Sequence, residues 1–185
     1  MEWCALETHV LACHPDTPPR TVRRIEARMI AGDENWLRLR WRIEGCGSLI
    51  LPAFAGKGRA DELWRTTCFE LFIRAGDDPG YLEFNLSPSE RWAAYRFAGY
   101  RDGIEEQPMP HEPNCTARVG TDLAIFDAAL PTVTLPKLPW RYGLCAVIEE
   151  QGGHLSYWAL AHPPGAPDFH HPACFAATLA ASGAA

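Results

Sequence analysis

Lysine is almost missing from this chain of 185 residues, occurring only at Lys57 and Lys137. The 17 basic residues are otherwise arginines that never form a run, and 23 acids outnumber them to give a formal net charge of −6. A phosphate backbone calls for a basic face, so this balance argues against nucleic acid as a partner. No apolar stretch approaches the roughly 18 residues of a membrane-spanning helix. The opening MEWCALETHVLACHP has neither a basic start nor an unbroken apolar run, so neither a membrane partner nor a secretory leader is expected. C-x-x-C spacing is also absent. The 7 cysteines stand far apart, at 4, 13, 46, 68, 115, 145 and 174, several in apolar surroundings such as TCFELF and GLCAVI. They read as buried reduced thiols, and the expected location is cytoplasmic. G-x-S-x-G, P-loop and dinucleotide patterns are missing, so no motif supports catalysis.

What is present suits a globular chain: 47% hydrophobic and 22% charged residues, enough for a substantial core. The length fits one domain, with its core over about 5–175 and a tail over 176–185. The 16 prolines and 15 glycines cut the chain into short segments, favouring strands over long helices. NWLRLRWRIEG alternates Trp36, Arg38, Arg40 and Arg42 with Leu37, Leu39, Trp41 and Ile43, the period of a strand wet on one face. TVRRIEARMIAG alternates in the same way. Further strands are expected at 91–98, 115–119, 123–130, 142–150 and 154–161, the last two joined by a turn at Gln151-Gly152-Gly153. The fold class that follows is all-β, an antiparallel β-sandwich of about nine or ten strands with little helix.

TCFELFIR (67–74) and YLEFNLS (81–87) flank the turn sequence AGDDPG. If they form a hairpin, their apolar faces meet only when paired residue numbers sum to an odd value. A sum of 155 sets Phe69 opposite Leu86, Leu71 opposite Phe84 and Ile73 opposite Leu82. Glu70 then faces Asn85, and Phe72 faces Glu83, on the other side.

Three stretches, LWRTTCFELFI, YLEFNLSPSERWAAYRFAGYRDG and AVIEEQGGHLSYWALAHPPGAPDFHHPACF, resemble the DOMON-like group, relatives of DOMON domains and of family 9 carbohydrate-binding modules. The resemblance runs from about residue 5 to residue 175. Its specific parts are Trp64 ahead of Glu70, the Glu-Phe-Asn-x-Ser-Pro strand at 83–88, and the long final motif. It implies a jelly-roll-like sandwich that binds sugar or haem without chemistry of its own. It also implies two tryptophans clamping the sugar, with Trp64 as one and Trp92 or Trp158 as the other.

The residues independently suit a saccharide, which is held by aromatic rings against its C–H faces and by planar polar groups at its hydroxyls. Trp64, Trp92, Tyr95 and Trp158 are the aromatic candidates; Arg65, Glu70, Glu83, Asn85 and Glu149 are the polar ones. Large aromatics are equally at home in a sandwich core, and Glu70 and Asn85 could simply bond each other. The expected function is a non-catalytic module for a small polar ligand, a saccharide or sugar-containing metabolite, with no cofactor. The alternative is a structural or protein-docking sandwich.

His162, Asp168, His170 and His171 crowd into HPPGAPDFHHPACF. Adjacent His170 and His171 point apart in extended chain, which disfavours one ion between them. They are expected instead to brace a folded-back loop at the rim, anchored by Phe169 and Phe175. Haem has only Met109, beside His111, to offer as a methionine ligand outside a strand or the terminus. Glycoside chemistry would need a carboxylate pair such as Glu70 and Glu83.

Overall fold

A computed structural model describes residues 7–181. Cys4, residues 5–6 of the expected core and positions 182–185 of the expected tail lie outside the described residues. Fifteen strands follow one another: β1 (Thr8–Val10), β2 (Ala12–Cys13), β3 (Arg24–Gly32), β4 (Trp36–Glu44), β5 (Leu49–Ile50), β6 (Gly58–Arg59), β7 (Cys68–Ala75), β8 (Tyr81–Leu86), β9 (Arg91–Phe97), β10 (Glu105–Glu106), β11 (Asn114–Val119), β12 (Leu123–Pro131), β13 (Trp140–Glu150), β14 (His154–Ala159) and β15 (Ala177–Leu179). Short 3₁₀ turns at Cys46–Ser48, Leu63–Arg65, Thr132–Thr134 and Pro172–Cys174 are the only helical segments among the described residues.

The strands form two sheets. The smaller has the order β1-β3-β4-β12-β11, and the larger runs β10-β9-β8-β7-β13-β14-β2. β5 and β15 add to β13, and β6 adds to β9 as the one parallel pair among the described strands. An antiparallel β-sandwich is therefore the architecture, as the alternating pattern predicts. In β4 the alternation is complete: Leu37, Leu39, Trp41 and Ile43 are buried, while the arginines between them reach outward. There Arg40 pairs with Asp127 across the neighbouring strand at 2.6 Å.

The inner faces meet through aromatic rings. Phe69 of the larger sheet stacks on Phe126 of the smaller, with centroids 4.2 Å apart, and Trp41 lies tilted against both. The β7–β8 hairpin has the register anticipated from its sequence: Phe69 faces Leu86, Glu70 faces Asn85, Leu71 faces Phe84, Phe72 faces Glu83 and Ile73 faces Leu82. The physical cause is the apolar alternation, because a slip by one residue would push Phe69, Leu71 and Ile73 out of the core.

Two expectations are corrected. The segment 176–185 is not simply a tail, since β15 pairs with β13 and buries Ala177 and Leu179; three residues with an apolar-polar-apolar pattern suffice for that. Trp92 and Trp158 belong to the inter-sheet core. Trp92 pairs with Leu86 and Trp158 with Ala146, and both partners lie in the same ladder as Phe69, so the period of two turns both indoles inward.

Candidate functional site

The outer face of the larger sheet is not plain solvent-facing surface. Reading across the ladders, Tyr95, Glu83, Phe72 and Gly143 form one row, and Ala93, Asn85, Glu70, Cys145 and Ala159 form the next. The third row includes Cys68, Val147 and Tyr157. The middle row is small at Ala93, Cys145 and Ala159, which flank the polar pair Glu70 and Asn85.

The final loop covers the neighbouring part of this face. Phe169 and Phe175 join Phe72, Tyr81, Phe97 and Val147 in a second apolar cluster. Gly143 permits the approach, because a Cβ there would sit 2.6 Å from the carbonyl oxygen of Cys174. Asp168 fixes the loop: its carboxylate accepts from the Arg101 guanidinium at 2.7 Å, from the Tyr100 hydroxyl, and from the backbone N–H of His170 at 3.1 Å. Burial pushes this carboxyl up, but the bonds from Tyr100 and Arg101 outweigh it and hold Asp168 below the ordinary carboxylate range.

The histidines have separate tasks. His170 packs edge-on against Phe97 and Phe72 and shares a 2.8 Å hydrogen bond between Nδ1 and the Tyr81 hydroxyl. Its Nε2 stands 3.9 Å from Glu83. Burial drives its pKa down to about 4, so the ring is neutral at pH 7. Nδ1 of His171 accepts from the Ala173 N–H, capping the last 3₁₀ turn. His162 reaches the Ala12 carbonyl at 2.9 Å and meets the His14 ring edge-on. Among the described residues no group of three His, Cys, Asp or Glu converges as metal ligands do.

Between this loop and the strand β10 side lies a cleft of about 850 Å³. Glu70, Glu83 and Asn85 form its floor, while Trp64, Tyr95, Tyr157, Phe97 and Phe169 supply aromatic walls. Trp64 is 44% exposed and sits on the 3₁₀ turn before β7. The guanidinium of Arg65 stacks 5.2 Å from its ring and pairs with Glu62 at 2.7 Å. Arg65, Trp92 and Trp158 are not part of the lining. Glu149, at the far end of β13, is likewise outside.

The floor is short of hydrogen-bond donors. Asn85 is 1% exposed and donates its Nδ2 to Glu83 at 2.8 Å, rather than to Glu70 opposite it. Oδ1 of Asn85 and Oε1 of Glu70, which is 3% exposed, have no partner. A buried acceptor without a partner costs about 1–3 kcal/mol. Burial, followed by the nearby Glu83 charge, raises the Glu70 carboxyl well above its usual range. Burial likewise lifts Glu83 to about 7, against the pull of Asn85 and Arg101.

Several lining residues were not foreseen: Asp61, Arg101, Glu105, Val147 and Tyr157 among them. Val147 and Tyr157 are legible once the β7–β13–β14 register is known, since they share the ladder of Cys68. Asp61 and Arg101 arrive on irregular segments whose course no periodicity reveals.

The sandwich is similar to solved sugar-binding proteins. A candidate carbohydrate-binding protein from Bacteroides uniformis superposes with a TM-score of 0.63 at 14% identity, over 95% of this chain and 85% of that one. A family 9 carbohydrate-binding module from Caldicellulosiruptor kristjanssonii, solved with cellotriose, superposes with a TM-score of 0.52 at 11% identity, over 88% of this chain and 76% of the module. At such identities the likeness is one of fold. No family model matches the sequence, and no curated protein matches it.

Proposed function

We propose that this protein is a non-catalytic saccharide-binding module, a DOMON-like relative of the family 9 modules, and that the cleft over Glu70, Glu83 and Asn85 is its site. One observation carries the reading: buried acceptors without partners lie at the bottom of an aromatic-walled cleft on the outer sheet face. Sugar hydroxyls donate to Glu70 Oε1 and Asn85 Oδ1, and Trp64 and Tyr157 present ring faces to the C–H faces of the pyranose. Tyr95 is held in place by the bond from its hydroxyl to Asp61. Arg65 steadies the Trp64 ring by stacking, and Asp168, His170 and His171 hold the loop that walls the cleft. The resemblance in sequence, the sandwich topology and the cellotriose-bound relative of similar fold support a sugar as the ligand. The six described cysteines are free, which suits a protein working in a reducing compartment.

Among the described residues Trp64 is the one tryptophan lining the cleft. Oligosaccharide titration should therefore perturb its fluorescence. Trp64→Ala should weaken calorimetric affinity by about tenfold, the worth of one stacked ring, while Trp36→Phe on the opposite sheet should leave it unchanged. Undiminished affinity in Trp64→Ala would remove the cleft from consideration.

A further inference from the structure

Carboxyl groups around the cleft outnumber its cations. Six carboxylates line it, from Asp61, Glu62, Glu70, Glu83, Glu105 and Glu106. Glu62 is taken by Arg65, Glu105 by Arg96, and Glu106 by Arg59 at 3.6 Å. The guanidinium of Arg101, the one arginine in the lining, is held at 2.7 Å by Asp168. His170, the remaining basic side chain, is neutral at pH 7 because it is buried. Asp61, Glu70 and Glu83 thus make no salt bridge to an arginine or lysine among the described residues, and Arg101 acts on Glu83 without a direct bond. Asp61 has the Tyr95 hydroxyl, Glu83 has the Asn85 amide, and Glu70 Oε1 has nothing.

A neutral sugar hydroxyl would satisfy an orphan acceptor and leave Glu70 and Glu83 held toward the protonated form by their burial. An ammonium group donates three hydrogen bonds, accepts none, brings the positive charge that lets a buried carboxyl ionise, and is attracted to aromatic rings such as those of Trp64, Tyr95 and Tyr157. Building on the saccharide reading above, we propose that the ligand is an amino saccharide, with a free protonated amine seated over Glu70 and Glu83.

The amine would make charge-assisted hydrogen bonds to Glu70 Oε1 and, from the same nitrogen, to Asn85 Oδ1. Its arrival draws both carboxylates into the ionised form, so proton release should accompany binding near neutral pH. The groups facing Glu83 in this exchange are Glu70 and Cys68 from β7, Tyr81 and Asn85 from β8, Tyr95 from β9, Cys145 from β13, His170 from the closing loop, and Arg101 from the segment between β9 and β10.

Three β-1,4-linked trimers separate the possibilities when titrated calorimetrically into the intact protein at physiological salt: glucosamine, N-acetylglucosamine and glucose. The glucosamine trimer should bind about tenfold or more tighter than either neutral trimer, as one hydrogen-bonded charge pair implies. That advantage should vanish in the Glu70→Gln/Glu83→Gln double variant, whose fold is checked by circular dichroism. Equal affinity for all three, or tightest binding of the glucose trimer, overturns the ammonium proposal and leaves the saccharide reading standing. A glucosamine preference that survives the double variant also overturns it, by tracing the preference to overall charge. Binding of spermidine with no trimer bound overturns the saccharide reading, and this proposal with it.

Discussion

Glu83 and Glu150 are both buried glutamates of the larger sheet, and their surroundings move them in opposite directions. Burial raises Glu150, but the backbone N–H groups of Arg20 and Thr21 and the hydroxyls of Ser48 and Thr21 all donate to its carboxylate, and together they bring it down to about 2. Glu83 has one amide donor and rises to about 7. The difference is that between a carboxylate met by several donors and one met by a single amide. It has a consequence for stability. The ordinary carboxyl titrates near 4.5 and folded Glu83 near 7, so the native state holds the proton more tightly. Its contribution to stability is fully present below pH 4.5 and declines as pH rises through 7. Glu83→Gln should therefore gain about 2 kcal/mol over the wild type on moving from about pH 5 to about pH 8, read by urea denaturation at the two values. Equal pH slopes for the two proteins would show that Glu83 titrates normally.

At the scale of elements, the site depends on what the closing loop covers and what it leaves open. The loop lies on the Phe72–Gly143 row because Gly143 has no side chain to hold it off, and its Phe169 and Phe175 share an apolar cluster with Cys145, Val147 and Ala159, while Glu70 and Asn85 line the cleft. Gly143→Ala would place a methyl group 2.6 Å from the Cys174 carbonyl, against backbone that cannot simply rotate away. The expected outcome is a loss of about 1–3 kcal/mol, with faster amide exchange confined to residues 160–176 and weaker ligand binding. Uniformly faster exchange over the whole chain would instead mark Gly143 as a general core position. The strand elements and the β7–β8 register were legible beforehand. The inward turn of Trp92 and Trp158 was legible too, had the ladder been extended from β8 into β9 and from β7 through β13 into β14. Placing them by ring chemistry and by the family resemblance put two core residues among the site candidates.

For the molecule as a whole, the two sheets are joined by the Trp41–Phe69–Phe126 cluster, and the second apolar cluster lies outside the sandwich under the loop. Phe69 is thus two residues along the strand from the inward Leu71 and one from the outward Glu70, and the same strand builds core and site on opposite faces. Phe69→Ala should cost about 3–5 kcal/mol by leaving a cavity between the sheets, and should lower the midpoint of a single cooperative unfolding transition. A loss below about 1 kcal/mol would mean that the sheets are not held together there.

Alternation along β4, β7 and β8 was enough to dictate strands, faces and pairing, because burying one face of a pleated strand permits a single phase of the pattern. It was also enough to set Glu70 and Asn85 side by side away from the core. Only the tertiary structure decided that a cleft would form beside them, that Trp64 rather than Trp92 or Trp158 would line it, and that Asp61 and Arg101 would arrive from irregular segments. Those outcomes depend on contacts between segments far apart in the chain, and local periodicity holds no information about them.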